Sequence, residues 1–119
     1  MTERRDKSYP YLFQKSNKEK EMLKKKRQKA REEAEKAAST LKKEFNAEKV
    51  WLFGSLIQED KFHERSDIDL AASGIPPEKF YKALGKITRE IEDFKIDLVD
   101  MDDTRDSLRK RIKKEGEQI

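Results

Sequence analysis

Hydrophobic positions are thinly and unevenly spread along this chain of 119 residues. From Ser16 to about Phe45 they fall at Leu23, Ala30, Ala34, Ala37, Leu41 and Phe45, in steps of three, four or seven. That spacing predicts one narrow stripe along a helix. The stretch contains neither Gly nor Pro and is rich in Lys, Glu, Ala and Arg, so the helix would run roughly 45 Å at 1.5 Å per residue. Ser16-Asn17-Lys18-Glu19 fits a capping box at its start. Alanines bury little area, so the second half is expected to pack on the domain and the first half to project or meet a partner. Before it, Ser8 to Phe13 forms a short aromatic cluster in which Pro10 opposes regular structure.

The pattern then changes. Val50-Trp51-Leu52-Phe53 is a continuous apolar run stopped by Gly54, as in a buried strand. Leu56 to Ser66 is polar and irregular, with room for one helical turn at its start. Ile68 to Ala72 reads as a second strand ended by Ser73-Gly74. Pro76-Pro77 then opens a helix whose apolar face is Phe80, Leu84, Ile87 and Ile91. Lys95 to Met101 is a third strand. Asp102-Asp103 is expected to cap a last helix, with Leu108 and Ile112 inward and its end near Gly116. The order predicts an α/β (α+β) fold: a small mixed sheet of three or slightly more strands, covered by helices, with a long N-terminal helix. Residues 1–35 read as a basic, mostly helical extension and 36–119 as the functional domain.

Composition narrows the function classes. Charged residues make up 45%, and there is no cysteine, which excludes disulfides and thiolate metal sites. The single histidine, His63, excludes a multi-histidine site within one chain. No apolar run approaches the roughly 18 residues needed to span a bilayer, and Met1 to Asp6 lacks an apolar signal region. A soluble, reducing, cytoplasmic setting is expected. Net charge is +4, but residues 1–50 carry 16 basic and 9 acidic residues against 13 and 16 in residues 51–119. A basic first half could contact nucleic acid or an acidic protein, or form a solvated helix face. Its amphipathic stripe leaves self-association open.

Asp67 and Asp69 are two apart, so on a strand their carboxylates leave one face about 7 Å from each other. Ile68 and Leu70 point into the core. Asp97, between Ile96 and Leu98, repeats the arrangement on the third strand. If the strands are neighbours, three carboxylates converge, and an all-oxygen set selects Mg²⁺ or Mn²⁺. That is the geometry for two metal ions acting on a phosphoryl group. Gly54-Ser55, directly after the first strand, is a candidate phosphate cradle, because glycine lets backbone amides approach an anion and serine adds a donor. Asp100 shares the strand with Asp97 but faces the other way. Trp51 reads as core, and His63 as a loop residue. Lys24-Lys25-Lys26-Arg27 reads as a solvated face or a nucleic-acid contact.

Gly54-Ser55, eleven further residues, then Asp67-Ile68-Asp69-Leu70 resembles the signature of the DNA polymerase β-like nucleotidyltransferase superfamily. Within it the chain resembles the minimal nucleotidyltransferases, small domains often encoded beside a HEPN-domain protein. The stretch Ile96 to Met101, then Leu108-Arg109, Ile112 and Glu115-Gly116, is similar to the way those chains end, and the resemblance covers roughly 37–119. It implies that Asp67 and Asp69 bind both metals, and that Asp97 completes the site and helps deprotonate the acceptor hydroxyl. Gly54 and Ser55 would hold the β- and γ-phosphates of the nucleotide, usually ATP. Attack at the α-phosphate would release pyrophosphate, and in antitoxin members the acceptor is a tyrosine of the HEPN toxin, a ribonuclease. The chain departs from many relatives in having Leu56 where an arginine follows Gly-Ser; Lys61 or Arg65 is the expected substitute. It also has eleven residues to Asp-x-Asp where ten are common. A non-catalytic antitoxin, or transfer to RNA or a small hydroxyl compound, are the alternative readings.

Overall fold

The computed structural model describes residues 17–58 and 67–119. The Ser16 cap, the aromatic cluster at 8–13 and the loop residues Lys61, His63 and Arg65 lie outside them. Helix α1 (Asn17–Phe45) leads into strand β1 (Lys49–Phe53), a 3₁₀ turn (Gly54–Ile57) and strand β2 (Ile68–Ser73). Helix α2 (Pro77–Glu90), strand β3 (Ile96–Asp100), helix α3 (Asp106–Glu115) and a two-residue strand β4 (Glu117–Gln118) follow. The sheet is mixed and ordered β3-β2-β1-β4. β1 runs antiparallel to both neighbours, and β2 and β3 are parallel, connected through α2.

β1 reads as a continuous apolar run because both sheet faces are covered. Val50 and Leu52 join Ile68, Leu70, Leu41 and Ile87 in the main core under α1 and α2. Trp51 packs with Ala71, Met101 and Ile112 on the opposite face, beneath α3. On α2, Ala83 and Ile87 are fully buried, with Phe80 packed against the core. The helix begins at Pro77, where a missing N–H costs nothing.

Three features differ from the expectations of the sequence. First, α1 engages the domain well before its midpoint. Ala30, Ala34 and Ala37 are buried and Leu23 packs on the core. Alanine contributes little area, but its small size lets the helix axis lie close to its neighbours, and polar tethers add to the contact. Arg27 Nε donates to the Leu56 carbonyl at 3.0 Å, Lys29 pairs with Asp93 at 2.8 Å, and Thr40 donates to Glu90 at 2.9 Å. Only residues 17–22 are exposed throughout. α1 runs unbroken across position 35 and ends at Phe45; Asn46, with φ of 65°, then turns the chain while Ala47 N–H donates back to the Leu41 carbonyl.

Second, Asp102 does not cap the last helix. Its carboxylate accepts from Gly74 N–H at 2.8 Å, and α3 starts at Asp106 after Arg105, with no side-chain cap. Bracing the β2 exit satisfies the carboxylate there instead. Third, Gly116 ends α3 as anticipated, but the chain then turns back as β4 beside β1. Ile119 N–H donates to the Val50 carbonyl, while Arg31 and Lys42 of α1 bond Glu117 and the Ile119 carbonyl, each at 2.6 Å. Two exposed polar residues leave no apolar signature for such an edge. Among the described residues no helix is long and apolar enough to cross a membrane.

Candidate active site

Pairing of β2 with β3 positions two of the three aspartates. Their parallel register sets Asp69 directly beside Asp97, and Ile68 beside Ile96. Ile68 and Leu70 are fully buried in the main core, so alternation sends Asp69 off the opposite face, the one α3 partly covers. Asp67 stands just ahead of β2, which begins at Ile68 rather than at the aspartate. Asp100, three positions beyond Asp97, braces the turn after β3, where its carboxylate accepts the Asp102 amide.

The turn after β1 closes on the same carboxylate. Phe53 is the register partner of Asp69, and Gly54 follows with φ of +81°. A Cβ at Gly54 would come within 2.3 Å of Asp69 Oδ2. Glycine is therefore required twice, for the left-handed backbone and for the close approach of the aspartate. The turn is fixed from behind: Leu56 is fully buried and its carbonyl is held by Arg27. The Ser55 carbonyl accepts from Gln58 N–H at 3.1 Å.

Electrostatically the site calls for a cation. Burial raises the Asp69 carboxyl to about 6, and the negative charges of Asp97 and Asp67 act in the same direction. No ion pair to any of the three aspartates occurs among the described residues. Nor do three His, Cys, Asp or Glu side chains among those residues stand gathered tightly enough to hold one metal ion. What the fold supplies is an adjacent pair, Asp69 and Asp97, with Asp67 within electrostatic reach. An all-oxygen set in mutual repulsion fits a hard divalent ion, whose binding would relieve that repulsion.

A cleft of about 400 Å³ opens beside the turn, lined by Phe53, Gly54, Ser55, Ile57 and Gln58 on one side and by Arg111, Ile112 and Glu115 of α3 on the other. Gly54 is thus shared between the cleft and the carboxylate. A second cleft of about 380 Å³, between Lys49, Trp51, Arg109 and Lys113, lies at the other end of β1; none of the three aspartates lines either cleft, and only the first borders Gly54. Trp51 itself is buried, as expected of a core residue. Sequence reasoning misses Arg27 and Arg111. Arg27 belongs to a basic run that reads as a solvated face, where nothing local marks a contact 29 positions away. Arg111 immediately precedes the inward-facing Ile112, so helical phase alone puts it at the border of the buried face.

The family model for polymerase beta nucleotidyltransferases matches residues 35–119. The chain therefore belongs to the polymerase beta nucleotidyltransferase family, and its mixed sheet with flanking helices is that fold. Solved structures with the same fold are more specific. One chain, from "Crystal structure of the toxin-antitoxin with AMP-PNP", is 25% identical over 71% of this chain and 70% of its own, with a TM-score of 0.58. Another, from "Crystal structure the toxin-antitoxin MntA-HepT", is 21% identical over 74% and 69%, with a TM-score of 0.56. Among curated proteins no sequence matches.

Proposed function

We propose that this domain transfers AMP from ATP to a hydroxyl group, acting as the antitoxin of a toxin–antitoxin pair whose toxin, a HEPN-domain ribonuclease, presents a tyrosine as acceptor. The observation that carries the chemistry is the register of Asp69 with Asp97 beneath Gly54. Family membership supports nucleotidyl transfer, and likeness to a chain of toxin–antitoxin complexes, one of them with AMP-PNP, supports the antitoxin role and the nucleotide.

Asp69 and Asp97, with Asp67 in electrostatic reach, would be the residues to hold Mg²⁺, or Mn²⁺, the hard ions their oxygens suit. When bound, such ions supply positive charge to the reacting phosphate and its leaving group. Gly54 and Ser55 would seat the β- and γ-phosphates in the cleft, orienting the α-phosphorus. Asp97, the more exposed of the adjacent pair, would take the proton of the acceptor hydroxyl. The acceptor oxygen bonds to the α-phosphorus, the bond from that phosphorus to the bridging oxygen breaks, and pyrophosphate leaves. In this reading residues 36–119 form the catalytic domain; the family match beginning at 35 supports that division.

The test is transfer of α-labelled AMP. Purified protein, Mg²⁺, ATP and the neighbouring gene product are incubated, and label on a tyrosine of the product is the expected result. Absence of label where the toxin is nonetheless inhibited would defeat the enzymatic reading. Replacing Asp67 and Asp69 by Asn sharpens this. A variant that still protects cells would mark a binding antitoxin instead, and labelled RNA or small hydroxyl compound would mark a different acceptor.

A further inference from the structure

The phosphate turn of this chain, Gly54 to Gln58, contains no cation. A nucleoside triphosphate is a polyanion, and here it would approach three carboxylates that form no ion pair among the described residues. Backbone amides and a serine hydroxyl provide partial charges only, so a full positive charge from elsewhere in the fold is needed to hold the terminal phosphates.

α3 provides one. Ile112 is buried against Trp51 and Ala71 and fixes the phase of the helix. Arg111, its neighbour, lines the 400 Å³ cleft opposite Gly54 and Ser55, and among the described residues lining that cleft it is the only cation. Its guanidinium is weakly engaged: Nε lies 3.9 Å from Glu115 Oε1, and both side chains are more than half exposed. Such a pair contributes little and yields readily to a stronger acceptor. Arg109, two positions earlier, is by contrast committed to the Met101 and Thr104 carbonyls and to Asp106. Lys113 lines the other cleft.

We propose that Arg111 binds the β- or γ-phosphate of the nucleotide across the cleft from Ser55, replacing the cation absent at Leu56. A guanidinium suits this role because its planar fork meets two phosphate oxygens at once. The inference rests on the nucleotidyl-transfer reading. Its test is therefore binding rather than turnover: calorimetric titration with Mg²⁺ and a non-hydrolysable ATP analogue, with AMP in parallel.

Wild type should bind the triphosphate. Arg111→Ala should weaken that binding roughly 10- to 100-fold, the range of a charge-assisted hydrogen bond, with AMP affinity and the melting curve unchanged; Arg111→Lys should fall between. Arg111→Ala binding the triphosphate like wild type, or losing AMP and triphosphate equally, would overturn the role of Arg111 and leave nucleotidyl transfer standing. Failure of the wild type to bind the triphosphate at all would overturn both.

Discussion

Asp69 is charged at neutral pH at a cost that folding imposes, and its replacement by asparagine measures that cost. An aspartate with an ordinary value of 3.8 is raised to about 6 by burial and by the charges of Asp97 and Asp67. The folded state therefore holds its proton more tightly than the unfolded chain. As pH rises through the interval from 3.8 to 6 the unfolded state ionises first, so stability falls across that window, and above it the whole penalty is present. At about 1.4 kcal/mol per pKa unit the ceiling is about 3 kcal/mol. Because Asp69 is only half-buried, solvent screening reduces this to roughly 1–2 kcal/mol. In EDTA at about pH 8, Asp69→Asn should be more stable than wild type by that amount, a rise in Tm of roughly 4–8 °C per kcal/mol. The difference should shrink toward about pH 4, where wild-type Asp69 is neutral. Millimolar Mg²⁺ at the higher pH should raise the wild-type Tm and leave that of the variant nearly unmoved. Urea denaturation across pH, read by circular dichroism, gives all three. A variant less stable than wild type in alkali, or a gap that does not narrow with acid, would mean that the Asp69 charge is not penalised by its surroundings.

Other substitutions probe how the site is built. Gly54→Ala places a side chain on a left-handed backbone, costing roughly 1–2 kcal/mol, and drives Asp69 aside; thermal melts should show the loss, and Mg²⁺ should no longer stabilise the variant. Arg27→Met keeps the apolar stem but leaves the Leu56 carbonyl without its donor, so amide hydrogen exchange at residues 54–58 should accelerate, with a stability loss of about 1 kcal/mol. Arg27→Lys should recover part of that protection. Ala34→Leu forces a larger side chain between α1 and the core and should cost roughly 1–3 kcal/mol in urea denaturation, whereas a projecting helix would tolerate it.

Much of this arrangement is written in local patterns. Val50 to Phe53 and Ile68 to Ala72 announce buried strands because apolar runs need cover, and aspartates set between apolar neighbours stand out for the same reason. The helix opened by Pro77 and the long α1 follow from proline geometry and residue composition. What local pattern leaves out is long-range. No spacing rule says that β2 and β3 are adjacent and parallel, so at the level of sequence the pairing of Asp69 with Asp97 is a supposition. β4 carries only polar residues and is defined by backbone pairing with β1, to which side-chain chemistry is blind. Arg27 and Arg111 sit among many basic residues, and only the packing of α1 and α3 shows that one reaches the Leu56 carbonyl and the other borders the cleft. Alanine misleads in the opposite way, since the small side chain that weakens the apolar signal is what permits close approach.

In the proposed arrangement Asp69 and Asp97 share a divalent ion next to a triphosphate seated at Gly54 and Ser55. A crystal structure with Mn²⁺ and a non-hydrolysable ATP analogue measures it directly through anomalous scattering. Anomalous density is expected between the Asp69 and Asp97 carboxylates, with the nucleotide's terminal phosphates at the Gly54–Ser55 turn. Manganese bound away from these two aspartates, or a triphosphate lodged in the cleft of Trp51 and Lys113, would contradict it.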